Sequence, residues 1–177
     1  MKQEKIEYYI RTYGKDIYSF CMYLTKNKQD ADDLYQDTFL RAIEKGDIHE
    51  NENPKSYLIS IAVHLWNNKM RKFLWRKKKV NVVESFEEED LEQIADESVQ
   101  TEEQVLKKEE SGEIRRQVAL LPERMRLVIL MYYMEELSVE EIAGILHVPK
   151  GTVKSRLYHA RAKLKEEMEG QFYERVV

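Results

Sequence analysis

A basic segment near the carboxyl end carries residue types that bind polyanions. From Ile142 to Lys165 the chain has six Lys or Arg and no Asp or Glu, although its formal net charge is -4. At helical spacing, Ser155, Tyr158 and His159 fall on one face of this segment, and cations flank that face. Cations neutralise phosphates, and hydrogen-bonding side chains read base edges, so the pattern predicts a contact with nucleic acid.

The elements that position these residues are two short helices separated by a turn. Ser138 and Glu141 form a capping-box pattern that begins the first helix, and "HVPKG" ends it, because Pro149 and Gly151 interrupt a helix. The predicted inward residues are Val139, Ile142, Ala143 and Leu146 on the first helix and Val153, Leu157, Ala160 and Leu164 on the second. The second helix then presents Gly151, Ser155, Tyr158, His159 and Ala162 outward.

Two helices are joined by this turn, and the outward side chains of the second helix are small or polar. This pattern predicts a helix-turn-helix that binds in the major groove. The predicted DNA-binding residues are Lys154, Ser155, Arg156, Tyr158, His159 and Arg161. A helical hairpin with a solvated basic face is the alternative. A metal site is disfavoured, because His147 and His159 are twelve residues apart and share no helical turn. Upstream, two more helices divide at Pro122, and the apolar segment Val128 to Tyr133 is predicted to be buried.

A second segment without acids, Asn53 to Val83, has eight Lys or Arg. Pro54 suits the first turn of a helix, whose predicted core residues are Leu58, Ile61, Ala62 and Leu65. Its polar and basic face consists of Ser60, His64, Asn67, Asn68, Arg71 and Trp75. Tyr57, Trp66 and Phe73 add further rings. Aromatic rings among cations are typical of surfaces on which unpaired bases stack, while the alternative places Trp66 and Phe73 in the core.

The preceding helix is predicted to start at an Asp30 cap and to bury Leu34, Phe39, Leu40 and Ile43. The residues outside that stripe are Asp32, Asp33, Gln36, Asp37 and Arg41. The carboxylates predict a protein-binding face, and the alternative is an acidic first turn, which the helix dipole favours.

Composition predicts an all-α fold of two small helical domains. Apolar residues make up 42% of the 177, charged residues 35%, and six Gly with three Pro are too few for a turn-rich β fold. Residues 84–104 carry ten acids and no base, which predicts an acidic linker between domains at 1–83 and 105–177. This linker is either a solvated spacer or a segment that folds back over the basic faces. A single Cys and the lack of a long apolar run predict a cytoplasmic protein without disulfides.

Three segments in this order, "DADDLYQDTFLRAI", "NPKSYLISIAVHLWNNKMRK" and "LPERMRLVILMYYMEELSVEEIAGILHVPKGTVKSRLYHARAKL", resemble a bacterial RNA polymerase sigma factor of the extracytoplasmic-function class. The resemblance covers both predicted domains. It implies a promoter-recognition subunit without catalysis or cofactor, whose partners are core RNA polymerase, promoter DNA and an anti-sigma factor.

The resemblance also implies roles for the three faces. The segment from Asp30 to Glu44 would dock on the polymerase, the helix from Ser56 to Lys72 would capture the melted -10 element, and the helix from Gly151 to Lys165 would read the -35 element. His64 stands where many members have Asn, so the resemblance does not specify the -10 sequence.

Two other classes share part of the pattern. A small helix-turn-helix regulator would contain "EIAGILHVPKGTVKSRL", but it would also need a ligand or phosphoacceptor domain, and the first half shows no alternating strands. An enzyme is disfavoured, because the sequence has no Gly-rich phosphate loop, no HExxH motif and no Ser-His-Asp set at a defensible spacing.

Overall fold

The structure is a computed structural model that describes residues 2–46, 52–78 and 112–176, with side chains through 170. All regular structure in these ranges is helical, which confirms the predicted all-α class. The chain divides into two compact units, Met1–Asp90 and Leu91–Val177. The predicted linker at 84–104 and both its boundaries lie outside the described residues, so those boundaries stay predictions.

The first unit contains three helices: α1 (Lys2–Thr25), α2 (Lys28–Lys45) and α3 (Pro54–Lys77). Each of the three packs against the other two. Their shared core is apolar, and burial of each large side chain contributes about 1.5–3 kcal/mol. Its members include Ile17, Phe20 and Leu24 on α1, Leu34 and Phe39 on α2, and Leu58, Ile61 and Trp66 on α3.

The ends of α2 and α3 are set by local hydrogen bonds. The α2 cap is Asn27, whose Oδ1 accepts from the Asp30 backbone N–H at 3.0 Å, so the predicted Asp30 cap is wrong by three residues. Helix α2 ends at Gly46, whose φ of 74° is left-handed and favours glycine. Asn53 caps α3 in the same way as Asn27, and Pro54 lies in the first turn as predicted.

The buried face of α2 differs from the predicted stripe. Leu34 and Phe39 are buried, but Leu40 is 57% and Ile43 40% exposed, so these two core predictions are wrong. At about 100° per residue, Thr38 and Ala42 follow Leu34 toward α1 and α3, while Leu40 points away. The Thr38 hydroxyl can be buried because it donates to the Leu34 carbonyl at 2.6 Å.

The helices of the first unit approach closely at Gly14. A Cβ at this position would lie 2.8 Å from the Tyr35 hydroxyl oxygen. The Tyr35 ring is itself held edge-on to Tyr18 and Phe39, with centroids 5.6 and 5.0 Å away. Burial, with a smaller contribution from Cys21, raises the pKa of Tyr35. Glycine at position 14 therefore makes room for a fixed ring.

The second unit has a helix over 112–120 (α4), then α5 (Glu123–Ile129), α6 (Val139–Leu146) and α7 (Lys150–Val176). The break between α4 and α5 falls at Pro122, as predicted. Helix α5 continues into a π-helical turn, Leu130–Met134. Val128 to Met131 are buried as predicted, but Tyr133 is 56% exposed, so that part of the burial prediction is wrong. The apolar run contains more residues than the buried side of one helix can hold.

A buried arginine connects α4 and α5 across the Pro122 break. The Arg126 side chain donates from Nη1 to the Leu121 carbonyl oxygen at 3.0 Å. Burial lowers the pKa of Arg126, and the nearby Glu123 carboxylate partly opposes this effect. Arg126 was not among the residues predicted to be buried, because a charged residue is normally solvated.

Within the part of the chain that the structure describes, none of the helices has the length and apolar character needed to cross a membrane.

Candidate nucleic-acid and protein interfaces

The helix-turn-helix of the second unit is built by a capping box and a left-handed residue. The Ser138 hydroxyl accepts from the Glu141 N–H at 3.1 Å, and the Glu141 carboxylate accepts from the Ser138 N–H at 2.8 Å. Helix α6 ends at His147, whose φ of 55° reverses the chain. Pro149 follows, and α7 begins at Lys150. The predicted turn is therefore present, with His147 in the position that often holds glycine.

The side of α7 that packs against the unit carries Val153, Leu157 and Ala160, all buried. Leu164, the fourth predicted inward residue, is half-buried. The outward residues Gly151, Ser155, Tyr158, His159 and Ala162 are all exposed. Small and hydrogen-bonding groups thus form a surface that can approach base edges.

The His159 ring is fixed against its own helix. Its Nδ1 lies 2.7 Å from the Ser155 backbone carbonyl oxygen and 3.4 Å from the Ser155 hydroxyl oxygen. The ring stands perpendicular to that of Tyr158, with centroids 5.5 Å apart.

The three cations of α7 that the sequence placed at the edges of this face differ in their surroundings. Lys154 is exposed. Arg156 is half-buried, and burial, with a smaller effect of Arg124, lowers its pKa.

Arg161 is held by a pair of tyrosines. Its Nε donates to the Tyr133 hydroxyl at 2.6 Å, and its guanidinium carbon lies 5.4 Å from the Tyr133 ring and 5.5 Å from the Tyr132 ring. We call Tyr132, Tyr133 and Arg161 the tyrosine clamp. This contact was not predicted from the sequence, because the partners are 28 residues apart and Tyr133 was expected in the core.

The polar and basic face of α3 runs along much of the helix. His64, Asn68, Arg71 and Trp75 are exposed, and Trp75 is 60% exposed, whereas Asn67 and Ser60 are half-buried. The Ser60 hydroxyl donates to the Tyr57 carbonyl at 2.7 Å, so it is partly used within the helix. Hydrogen-bonding groups, a cation and one indole ring therefore share this face.

The burial of Trp66 and Phe73 tests the alternative that these two rings of α3 belong to the core. Trp66 is 5% exposed and belongs to the core. Phe73 is half-buried, with the Lys77 ammonium 5.9 Å from its ring centroid. Trp75 is thus the large aromatic side chain of α3 that is open enough for a base to stack on.

The outer face of α2 combines charge with apolar surface. Asp33, Gln36, Asp37 and Arg41 are exposed, and Arg41 pairs with Glu44 at 3.1 Å. Asp32 is half-buried and accepts from the Tyr18 hydroxyl at 2.8 Å, which connects α2 to α1. Leu40 and Ile43 lie on the same outer side as Gln36, four and seven residues further along. This mixture of carboxylates and uncovered aliphatic side chains is typical of a protein contact.

The described residues contain no group of three or more His, Cys, Asp or Glu arranged to hold a metal ion.

Comparison with known families assigns both units. Residues 9–77 match the family model for sigma-70 region 2, and residues 111–164 match that for sigma-70 region 4. The first match contains α2, α3 and most of α1, and the second contains the helix-turn-helix.

Individual relatives agree with these matches over most of the chain. The ECF RNA polymerase sigma factor SigW of Bacillus subtilis (strain 168) is 33% identical over 165 residues, which are 88% of this chain and 84% of SigW. The ECF RNA polymerase sigma factor SigM of the same strain is 28% identical over 153 residues, which are 86% of this chain and 88% of SigM.

Two solved structures share the fold. The sigma factor RpoE in complex with the anti-sigma factor NepR from Bartonella quintana matches with a TM-score of 0.70 and 24% identity, over 96% of this chain and 98% of RpoE. CnrH in complex with the cytosolic domain of CnrY matches with a TM-score of 0.59 and 20% identity, over 95% of this chain and 90% of CnrH.

Proposed function

The chain belongs to the extracytoplasmic-function (ECF) class of sigma-70 RNA polymerase sigma factors, and from that premise we propose how its exposed faces divide the work of directing promoter-specific transcription initiation. The observation that carries the proposal is the chemistry of three faces on α7, α3 and α2. Each has the groups that its target requires, and each lies in a segment that matches region 2 or region 4.

The outward face of α7 reads the duplex -35 element in this proposal. Ser155, Tyr158 and His159 are exposed beside one another and meet base edges. Lys154 and Arg156 contact phosphates and fix the register of the helix in the major groove. Arg161 contributes its charge from a position set by the tyrosine clamp.

The face of α3 captures the melted strand of the -10 element. A melted strand offers unpaired bases, which hydrogen-bond to side chains and stack on rings. His64, Asn67, Asn68 and Ser60 supply the hydrogen bonds, Arg71 supplies charge, and Trp75 supplies the exposed ring.

The outer face of α2 docks on core RNA polymerase. Asp33, Gln36 and Asp37 supply polar and charged contacts, and Leu40 with Ile43 supply apolar area that would be covered on docking. Arg41 lies at the edge of this surface. Asp32 takes part mainly by holding α2 against α1, because its carboxylate already accepts a hydrogen bond from Tyr18.

The remaining elements of the proposal follow from family membership. The relatives are sigma factors, which are not enzymes, and we infer that this chain likewise has no catalysis, cofactor or small-molecule substrate of its own. It acts in the cytoplasm, where promoter DNA and polymerase are. RpoE was solved with the anti-sigma factor NepR, and we infer an anti-sigma partner for this chain too. The domains are assigned to 1–83 and 105–177, joined by the acidic linker.

A small regulator that acts without replacing sigma is not favoured. Such a protein would carry a ligand or phosphoacceptor domain in front of the helix-turn-helix, whereas residues 9–77 match sigma-70 region 2.

Promoter melting tests the role of α3. Trp75→Ala removes a stacking platform worth roughly 1–3 kcal/mol per base, so transcription from a linear duplex should fall about tenfold. A template with a pre-melted bubble at -10 should recover most of the loss, because the cost of unpairing is then removed.

Tyr8→Ala is the matched control, since Tyr8 is 59% exposed on α1 of the same unit and lies on a different helix from the proposed strand contact. Equal losses for Trp75→Ala on duplex and bubble templates, or an equal duplex defect in Tyr8→Ala, would contradict the assignment.

A further inference from the structure

The hydrogen bond between His159 and its own helix determines which ring nitrogen carries a proton. Nδ1 lies 2.7 Å from the Ser155 carbonyl oxygen, a distance for a strong N–H···O bond. A carbonyl oxygen only accepts, so Nδ1 must be the donor. In neutral imidazole the other nitrogen, Nε2, then has a lone pair and no hydrogen.

The same bond makes Nε2 the nitrogen that is left for a ligand. The two nitrogens lie on different edges of the ring, and the Nδ1 edge is turned to the backbone of α7. The ring is exposed and stands perpendicular to Tyr158, which is also exposed. His159 therefore offers a hydrogen-bond acceptor on a helix whose neighbouring cations, Lys154 and Arg161, are donors only.

Bases differ in whether they can satisfy an acceptor. In the major groove adenine shows the N6 amino group and cytosine the N4 amino group, whereas guanine shows two acceptors and thymine an acceptor and a methyl group. An acceptor on the protein is left unpaired against guanine or thymine, which is costly once water is excluded.

We propose that His159 is a specificity-determining residue that selects an exocyclic amino group, adenine N6 or cytosine N4, at one position of the -35 element. This inference rests on the proposed reading of the -35 element by α7, and it adds the chemical class of the base that His159 accepts. Ser155 cannot impose this choice, because a hydroxyl both donates and accepts.

The test uses holoenzyme assembled from bacterial core polymerase and the full chain. Bound duplexes are selected from a library with a randomised -35 region, for the unsubstituted protein and for His159→Ala. The unsubstituted protein should require adenine or cytosine at one position, and His159→Ala should lose that requirement and keep the others. His159→Lys, which can only donate, should move the preference at this position to guanine or thymine, because both present acceptors.

Base analogues then test the amino group itself. The amino group is removed by placing unsubstituted purine where adenine is selected, or 2-pyrimidinone where cytosine is selected. The analogue of the selected base should weaken binding about tenfold. The analogue that has this effect identifies the base. The same analogue should leave binding by His159→Ala unchanged.

Three results would overturn the inference while leaving the sigma-factor function intact: guanine or thymine at the position that His159→Ala relaxes, an unaltered preference in His159→Ala, or undiminished binding of the analogue duplexes. A holoenzyme that selects no -35 sequence at all would instead overturn the proposed role of α7.

Discussion

Replacing Tyr133 with phenylalanine tests whether the tyrosine clamp holds the recognition helix α7 against the end of α5. Tyr133→Phe removes the 2.6 Å hydrogen bond to Arg161 Nε and keeps the ring beneath the guanidinium. Both side chains are substantially exposed, so the bond is worth about 0.5–1.5 kcal/mol. Each cation–π contact adds about 0.5–1 kcal/mol, so Arg161→Met, which removes the hydrogen bond and both cation–π contacts, should cost about 1.5–3.5 kcal/mol.

Hydrogen exchange of the α7 amides in the full chain is the suitable assay. Tryptophan fluorescence is not suitable, because the two tryptophans of the chain, Trp66 and Trp75, lie in the first unit and α7 has none. In a double-mutant cycle, Tyr133→Phe and Arg161→Met should show a coupling energy of about 0.5–1.5 kcal/mol, equal to the shared hydrogen bond.

Tyr158→Phe is the matched control, because Tyr158 is also an exposed tyrosine and its ring stands edge-on to His159, so it should couple to Arg161→Met much less than Tyr133→Phe does. Additive effects of Tyr133→Phe and Arg161→Met would refute the clamp. The two changes should also differ on DNA. Arg161→Met removes a charge and should flatten the salt dependence of -35 binding by about one unit of slope, whereas Tyr133→Phe should leave the slope unchanged.

Three further predictions concern the first unit and the turn of the second. Gly14→Ala puts a methyl group 2.8 Å from the Tyr35 hydroxyl and should destabilise the first unit by about 1–3 kcal/mol in urea unfolding followed by tryptophan fluorescence. Adding Tyr35→Phe should recover part of the loss, and an unchanged urea midpoint in Gly14→Ala would contradict the packing. Asp33→Lys with Asp37→Lys should weaken core-polymerase binding in a pull-down, whereas the same charge reversal at Glu4 and Glu7 of α1 should not. Undiminished polymerase binding by the α2 variant would refute the docking face. The backbone N–H of Glu140 itself and then the Lys150 ammonium, 3.4 Å away, lower the pKa of Glu140 from its ordinary value of 4.5. The stability that this interaction gives α6 is present above pH 4.5 and should be lost as the pH falls through the lower folded pKa of Glu140. Hydrogen exchange of the α6 amides, measured against pH, should show this loss as a step, and the step should be absent in Glu140→Gln.

The parts of the fold that the sequence predicted correctly depend on local chemistry. The capping box at Ser138, the break at Pro122 and the first-turn position of Pro54 involve residues within a few positions of one another. Their geometry is therefore set by the backbone and one side chain. The predicted inward residues Val153, Leu157 and Ala160 of α7 are buried. Charged and polar residues stand between them in the sequence, so only one face of the helix is apolar.

The errors arose where several residues compete for one buried place. On α2, two large apolar residues, Leu40 and Ile43, looked better suited to the core than Thr38 and Ala42. Close packing of three helices favours small side chains at the contact, and it left the larger ones exposed on the outer face. The cap was misplaced because Asn27 and Asp30 are both good N-cap residues, and propensity alone does not choose between them.

Contacts between distant segments were the hardest to predict. The tyrosine clamp joins residues 28 positions apart, and the buried Arg126 depends on the exact place where α4 stops. Periodicity reports which face of a helix is apolar, but it does not report which residue of another helix lies opposite. The tautomer of His159 likewise follows from a single 2.7 Å distance within α7 that the sequence does not determine.

Transcription with purified core polymerase measures the central claim most directly. The template is a pooled library with randomised -35 and -10 regions, each joined to a transcribed barcode, and transcripts are sequenced with and without this protein. We predict that core polymerase with the protein enriches barcodes that share one -35 and one -10 motif, and that Asp33→Lys with Asp37→Lys abolishes this enrichment. No enrichment with core polymerase, or an effect only when another sigma factor is already present, would contradict the account.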